Sequence, residues 1–387
     1  MFTQCTQEKL SAALQITERF SGKNTTLPIL ENIFVTAEKG FFTLAATNLE
    51  VGVIIKITAK TEKNGKGIVP ARILSSFVYN LPQDGVVSLE KKEKTMTVQG
   101  GGYQATIKTA NDEDFPIIPQ HTAKPVLFLP AQKLREALAR ISNCAASNET
   151  RPELSGVNFV FSEKAISFAA TDSFRLAETT INLSKKNRDA DAYKKLLSQT
   201  RSLIVPTRII TELVRAIPQE QDFVDVVIEE QQIFFIVGEV KMVSRLIDGK
   251  YPDYKQIIPK KFETVVIVPQ KEFVRATKSA AIFTQAKGGE VILSVAKKGT
   301  LEITSGRHEA GGQVARLVAH SIGGAQNITL NPRFILEGVT TMEEPLVRIM
   351  MNSSTSPVVF CGAQTEDAEK MLPHTENLYI IMPIKNQ

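Results

Sequence analysis

The sequence predicts an α+β protein built from three tandem copies of one domain, each with two helices packed on antiparallel sheets. Two observations predict the copies and a third predicts their make-up. "IVPARILSSFVYNLP" at residues 68–82 recurs as "IVPTRIITELVRAIP" at 204–218, an offset of 136 residues. That offset exceeds the roughly 20–50-residue period of a solenoid and matches a domain of roughly 100–150 residues. "LNPRFILEGV" at 330–339 is a degenerate third version of the phrase. Between the helical phrases lie alternating segments of strand type, and strands with one apolar face need the cover that helices supply.

In the first copy, "TQEKLSAALQITERF" places Leu10, Ala13, Leu14 and Thr17 at i, i+3, i+4 and i+7, one face of a helix. "LAATNLEVGV" (44–53) follows, a phrase that recurs in the second copy, and the repeated phrase supplies a second helix near 71–80. "VVSLEKKEKTMTVQGGGYQATIKT" (86–109) reads as paired hairpins, with Gly100, Gly101 and Gly102 as a turn. The second copy opens on "FLPAQKLREALARI" (128–141), where Pro130 starts a helix whose apolar face is Leu134, Ala137, Leu138 and Ile141. "FAATDSFRLA" (168–177) matches 44–53, with Thr171-Asp172 over Thr47-Asn48. "DVVIEEQQIFFIVGEVKMVSRLI" (225–247) repeats the hairpin pattern. The third copy opens on "IVPQKEFVRATKSAAI" (267–282), with Pro269 aligned to Pro130. "DFPIIP" (114–119) and "YPDYKQIIP" (251–259) each precede a boundary. The expected domains are 1–122, 123–261 and 262–387, with about eight strands each. The middle copy is longer by roughly one charged insertion, "KKNRDADAYKKLLSQTR" (185–201), expected as a solvated loop or short helix.

Composition narrows the function classes. Hydrophobic content is 43% and charged content 22%, ordinary globular usage. No apolar run approaches the roughly 18–20 residues of a membrane span, and "MFTQCTQEKL" does not resemble a signal peptide. Cys5, Cys144 and Cys361 show neither metal-ligand nor CxxC spacing, as expected of a reduced, cytoplasmic protein. The net charge is +5, of which the insertion alone supplies +4, so overall charge says little about nucleic acid. The chain has no GxxxxGK[ST], GxGxxG or HExxH, and His121, His308, His320 and His374 have no pair spacing. No nucleophile, base and orienter stand in a recognisable arrangement. Asp172 is the most tempting acid, and its ordinary role is a turn residue that binds backbone N–H groups. No catalytic residue, metal or cofactor is expected.

Five phrases in order, "TLPIL" (26–30), "IVPAR" (68–72), "ATDSFRLA" (170–177), "DGKYPDY" (248–254) and "YIIMPI" (379–384), resemble the bacterial sliding-clamp family, the beta subunits of DNA polymerase III. They span essentially the whole chain. The resemblance implies three similar domains per chain and two chains closed head to tail into a ring. It also implies a continuous outer sheet and a hole lined by twelve helices. Such a ring encircles duplex DNA without sequence preference and tethers the replicative polymerase, the clamp loader and other clients that carry a peptide motif. It has no catalytic activity. The alternatives are a monomeric three-domain scaffold that binds peptides, or a DNA-modifying enzyme using Asp172 or a lysine.

Residues can be set against that picture. Lys271, Arg275 and Lys278 are spaced i, i+4, i+7, a basic stripe on one helix face. Lys133 with Arg140, and Arg208 with Arg215, are each i and i+7, and Arg72 adds one charge to its helix. The six expected lining helices sum to +6 per chain, suited to sequence-independent phosphate contact. The family's basic loop residue before Leu27 falls on Asn24, with Lys23 beside it. The resemblance puts the client-peptide cleft between the second and third domains. One wall is Leu154, Thr171, Ser173, Phe174, Arg175 and Leu176, joined by Pro252, Gln256 and Ile257. The other is Asn331, Phe334, Thr355 and Pro357 with Ile380, Met382, Pro383 and Ile384. It puts the dimer interface on Tyr103, Ala105 and Ile107 of one chain and Ala281, Ile282 and Phe283 of the other.

Overall fold

Wherever the sequence repeats its apolar stripe, a helix buries it. The computed structural model describes residues 1–22, 27–111, 114–147, 150–284, 289–296, 299–305, 311–366 and 377–385. Among them the helices are α1 (Gln7–Phe20), α2 (Ala71–Tyr79), α3 (Ala131–Ser142), α4 (Ala190–Gln199), α5 (Thr207–Ala216), α6 (Gln270–Ile282) and α7 (Pro332–Val339). Leu10, Ala13, Leu14 and Thr17 of α1 are buried, as are Leu134, Ala137, Leu138 and Ile141 of α3. Thr17 satisfies its buried hydroxyl by donating to the Ala13 carbonyl at 2.7 Å. Prolines end strands and cap the helices that follow: Pro70 and Pro269 sit at the N-caps of α2 and α6 with φ of −53° and −58°, which the ring imposes anyway. At α7 the cap is Asn331, whose side chain accepts the Arg333 N–H at 2.9 Å, with Pro332 as the first helical residue.

The chain forms two units, and each holds two antiparallel sheets among the described residues. The first unit comprises Met1–Arg135, Ser184–Gln199 and Arg208–Leu246. Its larger sheet runs in spatial order through Leu127–Pro130, Phe223–Glu229, Gln232–Val237, Val240–Arg245, Val51–Thr58, Phe41–Thr47, Asn32–Glu38 and Gly65–Pro70. Its smaller sheet runs through Lys60–Lys63, Phe2–Thr6, Val86–Lys92, Thr95–Gly100 and Tyr103–Lys108. The second unit comprises Glu136–Leu183, Thr200–Thr207 and Ile247–Gln387. Its larger sheet runs through Ser202–Pro206, Gly156–Phe161, Ala165–Thr171, Arg175–Asn182, Asn377–Ile381, Val358–Ala363, Leu346–Met351, Thr264–Pro269 and His320–Gly323. Its smaller sheet is Val314–Val318, Thr300–Ser305, Val291–Ala296 and Gln326–Leu330.

Each larger sheet passes from one sequence repeat into the next without a break. In the first unit Val53 pairs with Met242; in the second Leu176 pairs with Ile380. A shared ladder satisfies the edge N–H and C=O groups that each repeat would otherwise expose. The two units therefore follow the sheets, and the middle repeat contributes to both.

The charged insertion is packed as well as charged. Its helix α4 buries Tyr193 and Leu196, the Arg188 guanidinium lies over the Tyr193 ring at 5.1 Å, and the Asn187 amide donates to the Phe128 carbonyl at 3.0 Å. Long cationic stems cover apolar surface while their heads stay wet, so a basic run and a buried tyrosine coexist.

Candidate functional site

The turn between Ala165–Thr171 and Arg175–Asn182 is set by two side chains. The Asp172 carboxylate accepts the N–H groups of Phe174 at 3.0 Å and Arg175 at 2.9 Å. The Thr171 hydroxyl donates to the Arg175 carbonyl at 2.6 Å and accepts the Ser173 N–H at 3.2 Å. This wiring holds Ser173 in the left-handed region at φ 76°, uncommon for a residue with a side chain. Phe174 then points outward and is 63% exposed. Asp172 is thus a turn former, as its residue type suggested.

The C-terminal segment meets this turn. Past Asn377–Ile381, the Met382 N–H donates to the Phe174 carbonyl at 2.8 Å and the Ile384 N–H to the Thr329 carbonyl at 2.9 Å. Met382, Pro383, Ile384, Pro252, Asn331, Phe334 and Pro357 are half-buried, while Ser173, Gln256, Ile257 and Thr355 are exposed. Leu154, Leu176 and Ile380 depart from the expected wall. They lie in one core cluster with Tyr251 and Tyr254, at most 3% exposed. Strand alternation turns the paired Leu176 and Ile380 inward, so they pack into the core of the sheet rather than line a surface.

Two tyrosines within the quoted "YPDY" were not among the expected site residues. The Tyr251 hydroxyl accepts the Thr171 N–H at 3.0 Å, and the Tyr254 hydroxyl donates to Glu178 at 3.1 Å. Their rings meet edge to face at 6.2 Å, and burial raises both phenol pKa values. They fasten the segment carrying Pro252, Gln256 and Ile257 to the sheet.

Arg175 is a rivet more than a surface. It is 7% exposed and bonds Asp172 at 3.0 Å, Glu337 and the Asn143 carbonyl. Its guanidinium also stacks over the Phe334 ring at 4.5 Å. Arg333 holds the other oxygen of Glu337 at 2.6 Å. Burial disfavours both charges, but the hydrogen bonds outweigh it: the Arg175 pKa is raised and that of Glu337 lowered.

The basic residues divide. Lys271, Arg275 and Lys278 of α6 are exposed, as are Lys133 of α3 and Arg72 of α2, and none has an ion pair among the described residues. Arg140 departs from the stripe: it donates to the Thr341 carbonyl at 3.2 Å and lies 3.6 Å from Glu343, with its side chain 16% exposed. Arg215 pairs with Glu212 at 2.9 Å, and Arg19, outside the expected set, takes the other Glu212 oxygen. Arg208 donates to the Arg19 carbonyl at 3.5 Å. These arginines border an open hollow of about 630 Å³ between α1 and α5. Lys23 and Asn24 lie outside the described residues.

The expected interface strand Tyr103–Lys108 is a sheet edge. Tyr103 is 59% exposed and Ala105 half-buried, but Ile107 is buried, opposite Met96 in its own sheet. At the end of α6, Ile282 is 77% exposed and Ala281 and Phe283 half-buried. A second apolar edge was missed: Val314–Val318 ends the smaller sheet of its unit, with Val314 and Val318 outward. Its alternation, "VARLV", was the available signal.

Comparison with known proteins covers nearly the whole chain. Three family models match in succession: the DNA polymerase III beta subunit N-terminal domain over residues 1–119, the central domain over 128–253 and the C-terminal domain over 255–375. A beta sliding clamp of Synechococcus elongatus is 28% identical over 386 residues, 98% of either chain. One from Bacillus subtilis is 26% identical over 362 residues, 91% of this chain and 93% of its own. The crystal structure of a Bacillus subtilis DNA polymerase sliding clamp matches all of both chains with a TM-score of 0.87 at 24% identity, a likeness of fold.

Proposed function

The chain belongs to the family of DNA polymerase III beta subunits, and from that premise we propose that it is a DNA sliding clamp. It is a processivity factor that encircles duplex DNA and tethers the replicative polymerase. The observation that carries this reading is the succession of three beta-subunit domain models along one chain. The work is topological: the ring holds DNA by closure and needs only weak, sequence-independent contact to slide. The exposed Lys271, Arg275 and Lys278 on one face of α6 suit such contact, since phosphate neutralisation is indifferent to sequence and sensitive to salt.

In this reading two chains close head to tail through the exposed edge at Tyr103 and the surface at Ile282 and Phe283, a heterologous contact that closes only at the right rotation. The domains are 1–122, 123–261 and 262–387. The polymerase, the clamp loader and other clients insert a short extended peptide beside Phe174, Ile257, Phe334 and the C-terminal Met382–Pro383–Ile384 segment. Exposed and half-buried apolar groups supply the anchors, and methionine adapts to different clients. No described helix is long and apolar enough to cross a membrane. In this reading the protein acts on cytoplasmic DNA.

The test is retention on DNA. Loaded onto closed circular duplex DNA, the protein stays bound through gel filtration and is lost when one cut linearises the circle. Equal retention on circular and linear DNA would overturn the proposal.

A further inference from the structure

The turn that frames the proposed client cleft is built a second time, in the unit that contains the first repeat. The Thr47 hydroxyl donates to the Val51 carbonyl at 2.9 Å and accepts the Leu49 N–H at 3.0 Å. The Asn48 side chain accepts the N–H groups of Glu50 at 3.2 Å and Val51 at 2.9 Å. Leu49 stands at φ 77°, matching Ser173 at 76°. The Arg245 N–H donates to the Glu50 carbonyl at 3.0 Å, as Met382 does to Phe174. The turn is the same bond for bond, but its side chains differ.

A strap crosses in front of this turn, as Tyr251 and its neighbours do at the other. Phe115 stacks on Phe34 at 5.4 Å at one end. At the other, Glu229 accepts the N–H groups of Thr122 at 2.8 Å and Ala123 at 3.0 Å. Ile118 packs into the cluster of Val227, Phe234 and Val243, passing so close to Gly52 that a Cβ there would stand 2.9 Å from its methyl group. Ile117, between these anchors, is 94% exposed. A pinned backbone that turns an isoleucine wholly to water, beside a leucine 49% exposed, is a displayed surface. Between them is a hollow of about 310 Å³, bordered also by Glu50, Gln232 and Arg245, at the lower end of the range for ligand sites.

We propose that this hollow is a second peptide-binding site, for a short extended segment that presents an apolar side chain next to a carboxylate. The apolar side chain sits between Leu49 and Ile117. The carboxylate meets Arg245, which is exposed and has no ion pair among the described residues. Gln232 is placed for the peptide backbone. Glu50, whose carbonyl accepts the Arg245 N–H at 3.0 Å, opposes an acidic ligand with its carboxylate and so tunes its affinity. The inference rests on the reading that the matching turn at Phe174 frames a client cleft.

The experiment titrates the full-length protein, with isoleucine, leucine and methionine methyl groups labelled for NMR, with acetyl-Leu-Leu-Asp-Leu-amide and its Asn analogue at millimolar concentration. The Ile117 and Leu49 methyl signals should shift saturably, with the Asn analogue weaker by about tenfold, as the loss of one charge-assisted hydrogen bond implies. Arg245→Gln should reduce the acidic peptide to the level of that analogue, and Glu50→Gln should tighten its binding. Both side chains are exposed, so neither variant threatens the fold. The Met382 and Ile384 methyls report the cleft in the same spectra. If they stay silent while Ile117 responds, the second site stands and the cleft reading fails. If they respond while Ile117 and Leu49 do not, only the second site is overturned. Binding at Ile117 that ignores both the Asp-to-Asn change and Arg245→Gln also overturns it.

Discussion

Arg175 and Glu229 show how single residues hold this structure. Removing Arg175 leaves Asp172 and Glu337 without their shared cation and Asn143 without its donor. Breaking a largely buried pair from one side costs more than the pair is worth, so Arg175→Ala should destabilise by about 2 kcal/mol or more. Arg175→Lys should recover only part, because an ammonium lacks the planar fork that reaches several acceptors and stacks on Phe334. Urea unfolding midpoints measure both, and an unchanged midpoint in Arg175→Ala would contradict the network. Glu229 supplies a pH signature. The N–H groups of Ala123 and Thr122 hold its carboxyl below the ordinary carboxylate value. A folded pKa below the unfolded one means the stabilisation is whole above the ordinary value of about 4.3 and is lost as pH falls through the lowered one. Glu229→Gln should therefore flatten the acid limb of the stability profile and leave its shape near neutral pH unchanged. A profile as steep in the variant as in the parent would refute that anchor.

At the scale of elements, the proposed function gives α6 and the C-terminal segment separable tasks. The buried face of α6 is Phe273, Ala276, Thr277 and Ala280, so Lys271, Arg275 and Lys278 can change without disturbing the core. Replacing all three by Ala should weaken retention on circular DNA. If each neutralises one phosphate, the slope of log affinity against log salt falls by up to about 2.7 per chain. A slope equal to the parent's would place these residues away from DNA. The strand Asn377–Ile381 is laddered on both sides, by Arg175–Asn182 and Val358–Ala363, whereas residues 382–387 follow it. Their deletion should abolish polymerase binding and leave a protein that still encircles DNA. Truncating one apolar anchor of such a cleft costs roughly 2 kcal/mol or more when it is a hot spot. Equal calorimetric affinity for a polymerase-derived peptide before and after deletion would remove the cleft from consideration.

At the scale of the molecule, ladders continue from one repeat into the next, and the sheet edges that remain invite a partner. Tyr103–Lys108 and Val314–Val318 each end a sheet and expose apolar side chains, a liability unless paired. In the proposed ring the Tyr103–Lys108 edge and the exposed Ile282 meet between chains. The double change Ile282→Asp with Phe283→Asp should yield monomers, because two carboxylates buried at a contact without cations cost far more than an interface of this kind returns. Light scattering reads the mass directly; a dimer of unchanged mass would displace the interface from the end of α6.

The sequence by itself determined the repeated helices, the turn at Thr171 with its repeat at Thr47, and the paired strands within 86–109 and 225–247. These follow from local rules, a 3.6-residue apolar period and two side chains that bond the next few N–H groups, so each copy writes them out again. The tertiary structure alone decided what becomes of the residues so arranged. Arg140 has the spacing of a phosphate-facing stripe, yet it is drawn to Thr341 and Glu343, about two hundred residues away in sequence. The family resemblance puts Ile107 at an edge and Leu176 in a wall, yet the ladder partners that fix their faces turn them inward. Arg175 reads as a cleft residue until Glu337 arrives from the next repeat and holds it down. Exposed Ile117 is invisible as a site until Phe34 and Glu229 pin its strap from both ends. In each case the deciding interaction joins segments far apart in the chain, where no local period records which charge or which face will meet.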